Sequence, residues 1–231
     1  MTSLLRAMFL VLLGSTSAGA QTPETGTISG TIRYVGDVPP SKRIMTVDSV
    51  TFLHNDIVVQ AKTKGLRDVI VLLDWKEQVP ADVKAKPVLI DQRDMIFTPR
   101  VVTVQEGRKV RFENNDTCNH AVDAQSIHRE NVFNVTTPIG QPFEFKFKAQ
   151  KNPIPIGCVI HPWMRSWILA APHPYHAVSS ADGKFKIEGV PTGKHKLLLI
   201  HPDTNYREAV QIEVQTEKTS ALILDWKTLK R

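Results

Sequence analysis

Val101-Val-Thr-Val-Gln-Glu-Gly107-Arg-Lys-Val-Arg-Phe112 reads as two short strands, Val101 to Val104 and Val110 to Phe112, around a turn at Glu106-Gly107. The runs are rich in β-branched residues and are broken by a glycine, which favours strands over helix. Working outward, the same period of two recurs. Ile28, Gly30, Ile32 and Tyr34 fall on one face of I-S-G-T-I-R-Y, and Phe143, Phe145 and Phe147 alternate with Glu144, Lys146 and Lys148. Successive side chains of a strand point to opposite faces, so this pattern gives each strand one buried side. Val69 to Leu73 is a short apolar run, and Leu197 to Ile200, Ala209 to Val214 and Ala221 to Leu224 add further strands. Phe185 and Ile187 follow Asp182-Gly183, a pair that predicts a hairpin turn. Prolines sit mostly between these runs, and no segment carries a long helical period. The expected class is all-β, with short antiparallel strands in sandwiches.

Cys158-Val-Ile-His161-Pro-Trp-Met164 lies inside this β pattern. It offers a thiolate, an imidazole and a thioether at C-x2-H-x2-M spacing. A Cys sulfur, histidine nitrogens in a plane and a long axial Met describe a mononuclear electron-transfer copper site. Such a site needs one more histidine from elsewhere in the fold. His120, in N-N-D-T-C-N-H, is available upstream. A metal that cycles between two charges requires ligands that barely move, and a short loop closed against a rigid strand supplies them. The alternative is a core Cys, a surface His and a gap-filling Met.

The stretch from Val88 to Ala170 resembles the cupredoxins, the plastocyanin-like and amicyanin-like blue copper proteins. The matching elements are F-x-P-x-x-V-x-V-x-x-G from Phe97, N-x-D with a histidine four beyond Asp116, and C-x2-H-P-aromatic-M from Cys158. The resemblance implies one type 1 copper ion held by His120, Cys158, His161 and Met164. Cys158 would form the short bond and the electronic path, the two histidines would complete the plane, and Met164 would sit axially. His161 would present its outer edge through an apolar patch shared with Pro162 and Trp163. Asn115 or Asp116 would hydrogen-bond towards the ligand loop. Two departures stand out. Many members have Asn directly after the first histidine, where this chain has Ala121, and Cys118 occupies an unexpected position. Cys118 is a spectator, a competing sulfur ligand, or a disulfide partner for Cys158. A binuclear copper site would need a second cysteine in the loop. A nitrite reductase or multicopper oxidase would need further paired histidines, and His54, His128, His173, His176, His195 and His201 show no H-x-H spacing. Of these, only His173 and His176 lie close enough in sequence to act as secondary metal contacts.

The flanks carry a second resemblance. Gly26-Thr-Ile-Ser-Gly-Thr-Ile-Arg-Tyr-Val-Gly36 and Ala181-Asp-Gly-Lys-Phe-Lys-Ile-Glu-Gly-Val-Pro-Thr-Gly-Lys-His-Lys-Leu197 look like the two ends of a carboxypeptidase regulatory-like domain, a small transthyretin-like β-sandwich. The expected organisation is a signal peptide over 1–20, a first part of that sandwich over 21–85, a Greek-key cupredoxin domain over 86–171 and a second part of the sandwich over 172–231. The cupredoxin unit is then inserted into the second sandwich or packed beside it. Residues 41–64 match neither pattern.

Arg6, the apolar run Ala7 to Leu13 and the small residues Ala18-Gly-Ala20 have the anatomy of a secretory signal, with cleavage before Gln21. The run is too short for a membrane span. This predicts a periplasmic or secreted protein. The chain has 29 Lys+Arg against 23 Asp+Glu, a formal net charge of +6. The basic residues form no stripe interleaved with aromatics, so a nucleic-acid site is not expected. The expected function is therefore carriage of single electrons between protein redox partners, with no catalysis of its own. A periplasmic copper carrier or delivery protein and a metal-free β-sandwich interaction module are the rival readings.

Overall fold

The computed structural model describes residues 24–40, 42–45 and 51–229. The leader reading over 1–20 and the cleavage position before Gln21 lie outside the described residues. The fold is all-β, and the helical content among the described residues is one 3-10 turn at Arg129–Asn131. The strands in chain order begin with β1 (Thr25–Tyr34), β2 (Lys42–Met45), β3 (Thr51–His54), β4 (Ile70–Leu73), β5 (Val88–Arg93) and β6 (Ile96–Thr98). Next come β7 (Val101–Gln105), β8 (Val110–Asn114), β9 (His120–Ala124), β10 (Phe133–Thr137), β11 (Phe143–Phe145) and β12 (Ile154–Gly157). The last six are β13 (Arg165–Ala171), β14 (His176–Val178), β15 (Lys184–Pro191), β16 (Gly193–His201), β17 (Tyr206–Val214) and β18 (Thr219–Trp226).

Two sheets take all their strands from the central segment. One has the order β10-β9-β12-β13-β7 and the other β11-β8-β5-β6. Between them lie Ile90, Phe112, Phe147, Ile154, Ile156 and Ile168, all at or near zero exposure. Side chains of this size each contribute on the order of 2–3 kcal/mol by leaving water. Phe133, Phe143 and Phe145 pack against the same core, and the Phe133 and Phe145 rings approach to 4.4 Å between centroids. The Phe-x-Phe-x-Phe alternation thus marks a face that closes one side of this core.

Two further sheets take strands from both sides of that segment. β15-β1-β18 uses β1 from before it, and β14-β4-β16-β17 uses β4. β1 pairs antiparallel with β15 and parallel with β18, from Thr27 opposite Thr219 to Tyr34 opposite Trp226. Ile28, Ile32 and Tyr34 point into a second core with Leu66, Val71, Leu73, Leu197, Leu199 and Trp226. Gly30 faces the same way because Phe185 covers it: a Cβ there would lie 2.6 Å from the Phe185 ring. The turn expected at Asp182-Gly183 forms, with Gly183 at φ 75 and its N–H donating to the Ser180 carbonyl. It does not make a hairpin within one sheet. β14 pairs with β4, whereas β15 crosses to the opposite layer to pair with β1. Burial of Phe185 and Ile187 against the β1 face decides that crossing.

A smaller cluster of Ile70, Val101, Leu169 and Ile200, flanked by Trp167, joins the two pairs of sheets. Next to it Arg100 contacts Asp68 at 3.2 Å and Asp203 at 2.8 Å, and the Trp167 indole N–H donates to Asp203. These side chains are largely shielded from water, so the charges hold one another in place.

Candidate metal centre

β12 and β13 form a hairpin whose last pair is Gly157 with Arg165. The seven residues between them are the Cys158 to Met164 loop. The Cys158 N–H donates to the Met164 carbonyl at 3.3 Å, and the Met164 N–H donates to the His161 carbonyl at 2.9 Å. The loop is thereby folded back on itself, with Cys158 and Met164 at its buried base. Both are essentially inaccessible, at 4% and 1% exposure. His161 is half-buried at the loop tip, beside Val159 and Ile160, which remain 56% and 49% exposed.

β9 lies next to β12 in the same sheet, with Ala124 opposite Ile156. This neighbourhood brings the first residue of β9, His120, to the loop, where it is fully buried. Its Nδ1 lies 2.9 Å from Nδ1 of His161, and Cys158 Sγ lies 3.8 Å from the same His161 nitrogen. The two rings meet edge to face at 71°. The Ala121 N–H donates to Cys158 Sγ at 3.3 Å. The link between strand and ligand loop, which the absence of Asn at position 121 put in question, is therefore made by the backbone and needs no side chain there.

Electrostatics favour an anionic sulfur. Burial alone would push the Cys158 thiol up, but hydrogen bonds from His120 and from the backbone N–H groups of Ala121, His161 and Ile160 hold it below the ordinary thiol range. Burial likewise opposes the charged form of His120, yet the neighbouring Cys158 and Asp116 raise it above the usual imidazole value. A buried sulfur stabilised as thiolate beside two imidazole nitrogens is a donor set suited to copper. Two nitrogens 2.9 Å apart also lie within reach of one ion bonded at about 2.0–2.1 Å to each.

The outer edge of His120 is held too. Nε2 lies 3.0 Å from Asp116 Oδ2, a contact that fixes the ring and leaves Nδ1 facing the loop. Of Asn115 and Asp116, the two residues that the resemblance aims at the loop, Asp116 reaches His120 and also accepts from the N–H groups of Met95 and Thr117. Asn115 turns away to Asp91 and Glu113. Asn114, Gln92 and Thr137 form a buried polar network that the sequence reading did not single out. Asn114 donates to the carbonyls of Cys118 and Thr137 and accepts from the Asp116 N–H, which shapes the bend before His120. Gln92 donates to the Ala121 carbonyl and accepts from the Thr137 hydroxyl. The signal for it was present: Gln92 and Asn114 are amides in strands whose alternate positions are otherwise apolar.

Cys118 and Cys158 are both thiols. Cys118 Sγ lies against the Nε2 edge of His120 at 3.7 Å, whereas Cys158 Sγ lies against Nδ1 of His161. Among the described residues, Cys118, His120 and His161 also bring one ligand atom each within 4.8 Å of one another. Two sulfurs thus compete for one histidine pair. Cys158 is the more deeply buried and takes the backbone hydrogen bond from Ala121. His173 and His176, retained as secondary contacts, turn elsewhere: His176 Nδ1 bonds Thr103, and His173 Nδ1 accepts from the Tyr175 N–H.

No family model and no curated protein matches the chain. Among solved structures it is similar to cupredoxins over less than half of its length. A purple cupredoxin from Nitrosopumilus maritimus is 19% identical over 36% of this chain and 99% of its own, with a TM-score of 0.32. An oxidised point mutant of amicyanin is 16% identical over 43% of this chain and 97% of its own, with a TM-score of 0.34. A copper-containing nitrite reductase from Thermus scotoductus is 21% identical over 41% of this chain but only 25% of its own, at a TM-score of 0.34. No helix among the described residues is long and apolar enough to cross a membrane.

Proposed function

We propose that this chain is an exported type 1 copper protein that carries single electrons between protein redox partners. One copper ion is held by His120, Cys158, His161 and Met164. The observation that carries this reading is the convergence of the two Nδ1 atoms at 2.9 Å beside the buried Cys158 Sγ. Copper supplies the exchange of one electron. The protein supplies the rest: β9 and the loop hold the donors, Asp116 orients His120, and the apolar base excludes water. His161, Val159, Ile160 and Pro162 form the surface through which an electron reaches a partner, because direct apolar contact shortens that path. In this reading the unit over 86–171 is inserted into a carboxypeptidase regulatory-like sandwich over 21–85 and 172–231, which spaces or docks the copper unit. The leader over 1–20 directs the protein to the periplasm or outside the cell. The test is addition of Cu(II) to copper-free protein, followed by visible absorption and voltammetry. An intense band lost in Cys158→Ser, with a reversible couple, is expected. A colourless product would remove the electron-carrier reading, and ready loss of copper to a chelator would favour the delivery protein.

A further inference from the structure

The β5–β6 hairpin places an unusual residue beside the metal centre. Arg93 pairs with Ile96, so the turn has two central residues, Asp94 and Met95. Both have positive φ, at 54 and 60. Two-residue hairpins require this, but Asn and Gly normally supply it, and a methionine there is strained by roughly 1–3 kcal/mol. Two bonds clamp it. The Met95 N–H donates to Asp116 Oδ2 at 2.8 Å, and the Trp163 indole N–H donates to the Met95 carbonyl at 3.2 Å. Asp116 is the residue that holds His120, and Trp163 stands in the ligand loop next to Met164. The outcome is that Met95 Sδ lies 3.8 Å from Cys118 Sγ, which in turn lies 3.7 Å from His120 Nε2.

We propose that Cys118 and Met95, backed by the histidine pair, form a second cradle for a soft monovalent ion, Cu(I), on the outer side of His120. The donor types select the ion. A thiolate with a thioether suits Cu(I), whereas zinc takes Cys, His and carboxylate donors and has no use for methionine. The geometry admits it: two metal–sulfur bonds of about 2.3 Å span sulfurs 3.8 Å apart with a bent angle at the metal. Cys118 also lies with His120 and His161 within 4.8 Å, but His120 Nε2 is held by Asp116, so the two sulfurs are the donors and the histidine pair forms the wall behind them. Cys118 and Met95 are half-buried, while Cys158, Met164 and His120 are buried. An arriving ion therefore meets the outer sulfurs first. The Cys118 thiol gives its proton to solvent as its sulfur bonds Cu(I), and no electron is transferred. The cradle shares the histidine wall with the proposed copper site but not its sulfurs, so removing Cys158 separates the two readings.

The experiment is an anaerobic competition for Cu(I) between the full chain and a chromogenic Cu(I) chelator, with the deeper sulfur removed by Cys158→Ser. This variant is expected to hold about one Cu(I), and adding Cys118→Ser or Met95→Leu to weaken it at least about 10-fold. Met95→Leu keeps an apolar side chain and both backbone bonds, so its effect reads the thioether; thermal melts of all variants verify folding. The proposal is overturned if Cys158→Ser withdraws no Cu(I), or if both double variants hold the ion as tightly as Cys158→Ser alone. A wild-type protein that forms no coloured Cu(II) complex would sink the electron carrier and leave this result standing.

Discussion

The two pairs of sheets bury histidines in opposite ways. In the central pair, His120 is fully buried, but a carboxylate and a thiol lie against it and its proton affinity is raised. In the outer pair, His176 is half-buried beside Thr103, its enclosed Nε2 has no partner, and desolvation pushes it down to about 4, aided by His173 and Arg108. His201 also lacks a partner at Nε2 and is lowered by burial. Burial alone makes a neutral, structural imidazole; burial with anionic neighbours makes one whose charge and orientation are under control. A metal binds the neutral ring in either case; what sets His120 apart is that Asp116 orients it and donor atoms of other residues stand beside it.

The strongest way to break this contrast is to remove the anionic sulfur. Cys158→Ser should abolish the visible copper band, while thermal unfolding of the outer sheets is unchanged; retention of the band would mean that Cys118 is the ligand sulfur. Next comes His176. Its folded value of about 4 lies below the ordinary imidazole value of 6.5. Between these the unfolded chain binds a proton that the folded chain does not, so stability falls as pH drops through that window, by up to roughly 3 kcal/mol. His176→Phe should flatten this dependence in denaturant melts across pH 4–7, and an unchanged slope would show that another group titrates. In copper-free protein His120 carries the reverse sign: its raised value gives stability present below the unfolded pKa and lost as pH rises through the folded one.

Asp116→Asn keeps the shape but loses the charge at His120 Nε2. Copper affinity should fall about 10–100-fold, the usual cost of losing an outer partner of a metal-bound histidine. Equal affinity in a competition assay would show that Asp116 merely shapes the bend. The smallest effect is expected on the outer surface. Arg33 meets Asp225 through two bonds of 2.6 Å, but both side chains are about 40% exposed, at 40% and 43%. Water and salt screen such a pair, so Arg33→Gln should leave the melting temperature within experimental scatter. A clear drop would make exposed pairing as important as buried pairing in this fold.

Alternation and spacing carried most of the architecture. Phe143, Phe145 and Phe147, or Ile28, Ile32 and Tyr34, show the buried face directly, because a strand turns every second side chain the same way. The loop from Cys158 to Met164 was legible for the same local reason: seven consecutive residues hold three donor types. Asp182-Gly183 shows the limit. A turn is a local event, and it formed; which sheet β15 joined depended on where Phe185 and Ile187 found apolar cover.

The sequence by itself determined the β class and the short loop from Cys158 to Met164, and it marked His120 as a candidate to stand beside that loop. Tertiary structure alone decided what surrounds that histidine. Met95, Asp116, Cys118 and Trp163 belong to three separate stretches, and no periodicity links them. Their meeting rests on the hairpin at Asp94-Met95, the bend shaped by Asn114 and the pairing of β9 with β12. Hydrogen bonds and strained turns act between segments far apart in the chain, so their outcome appears only once the sheets have assembled.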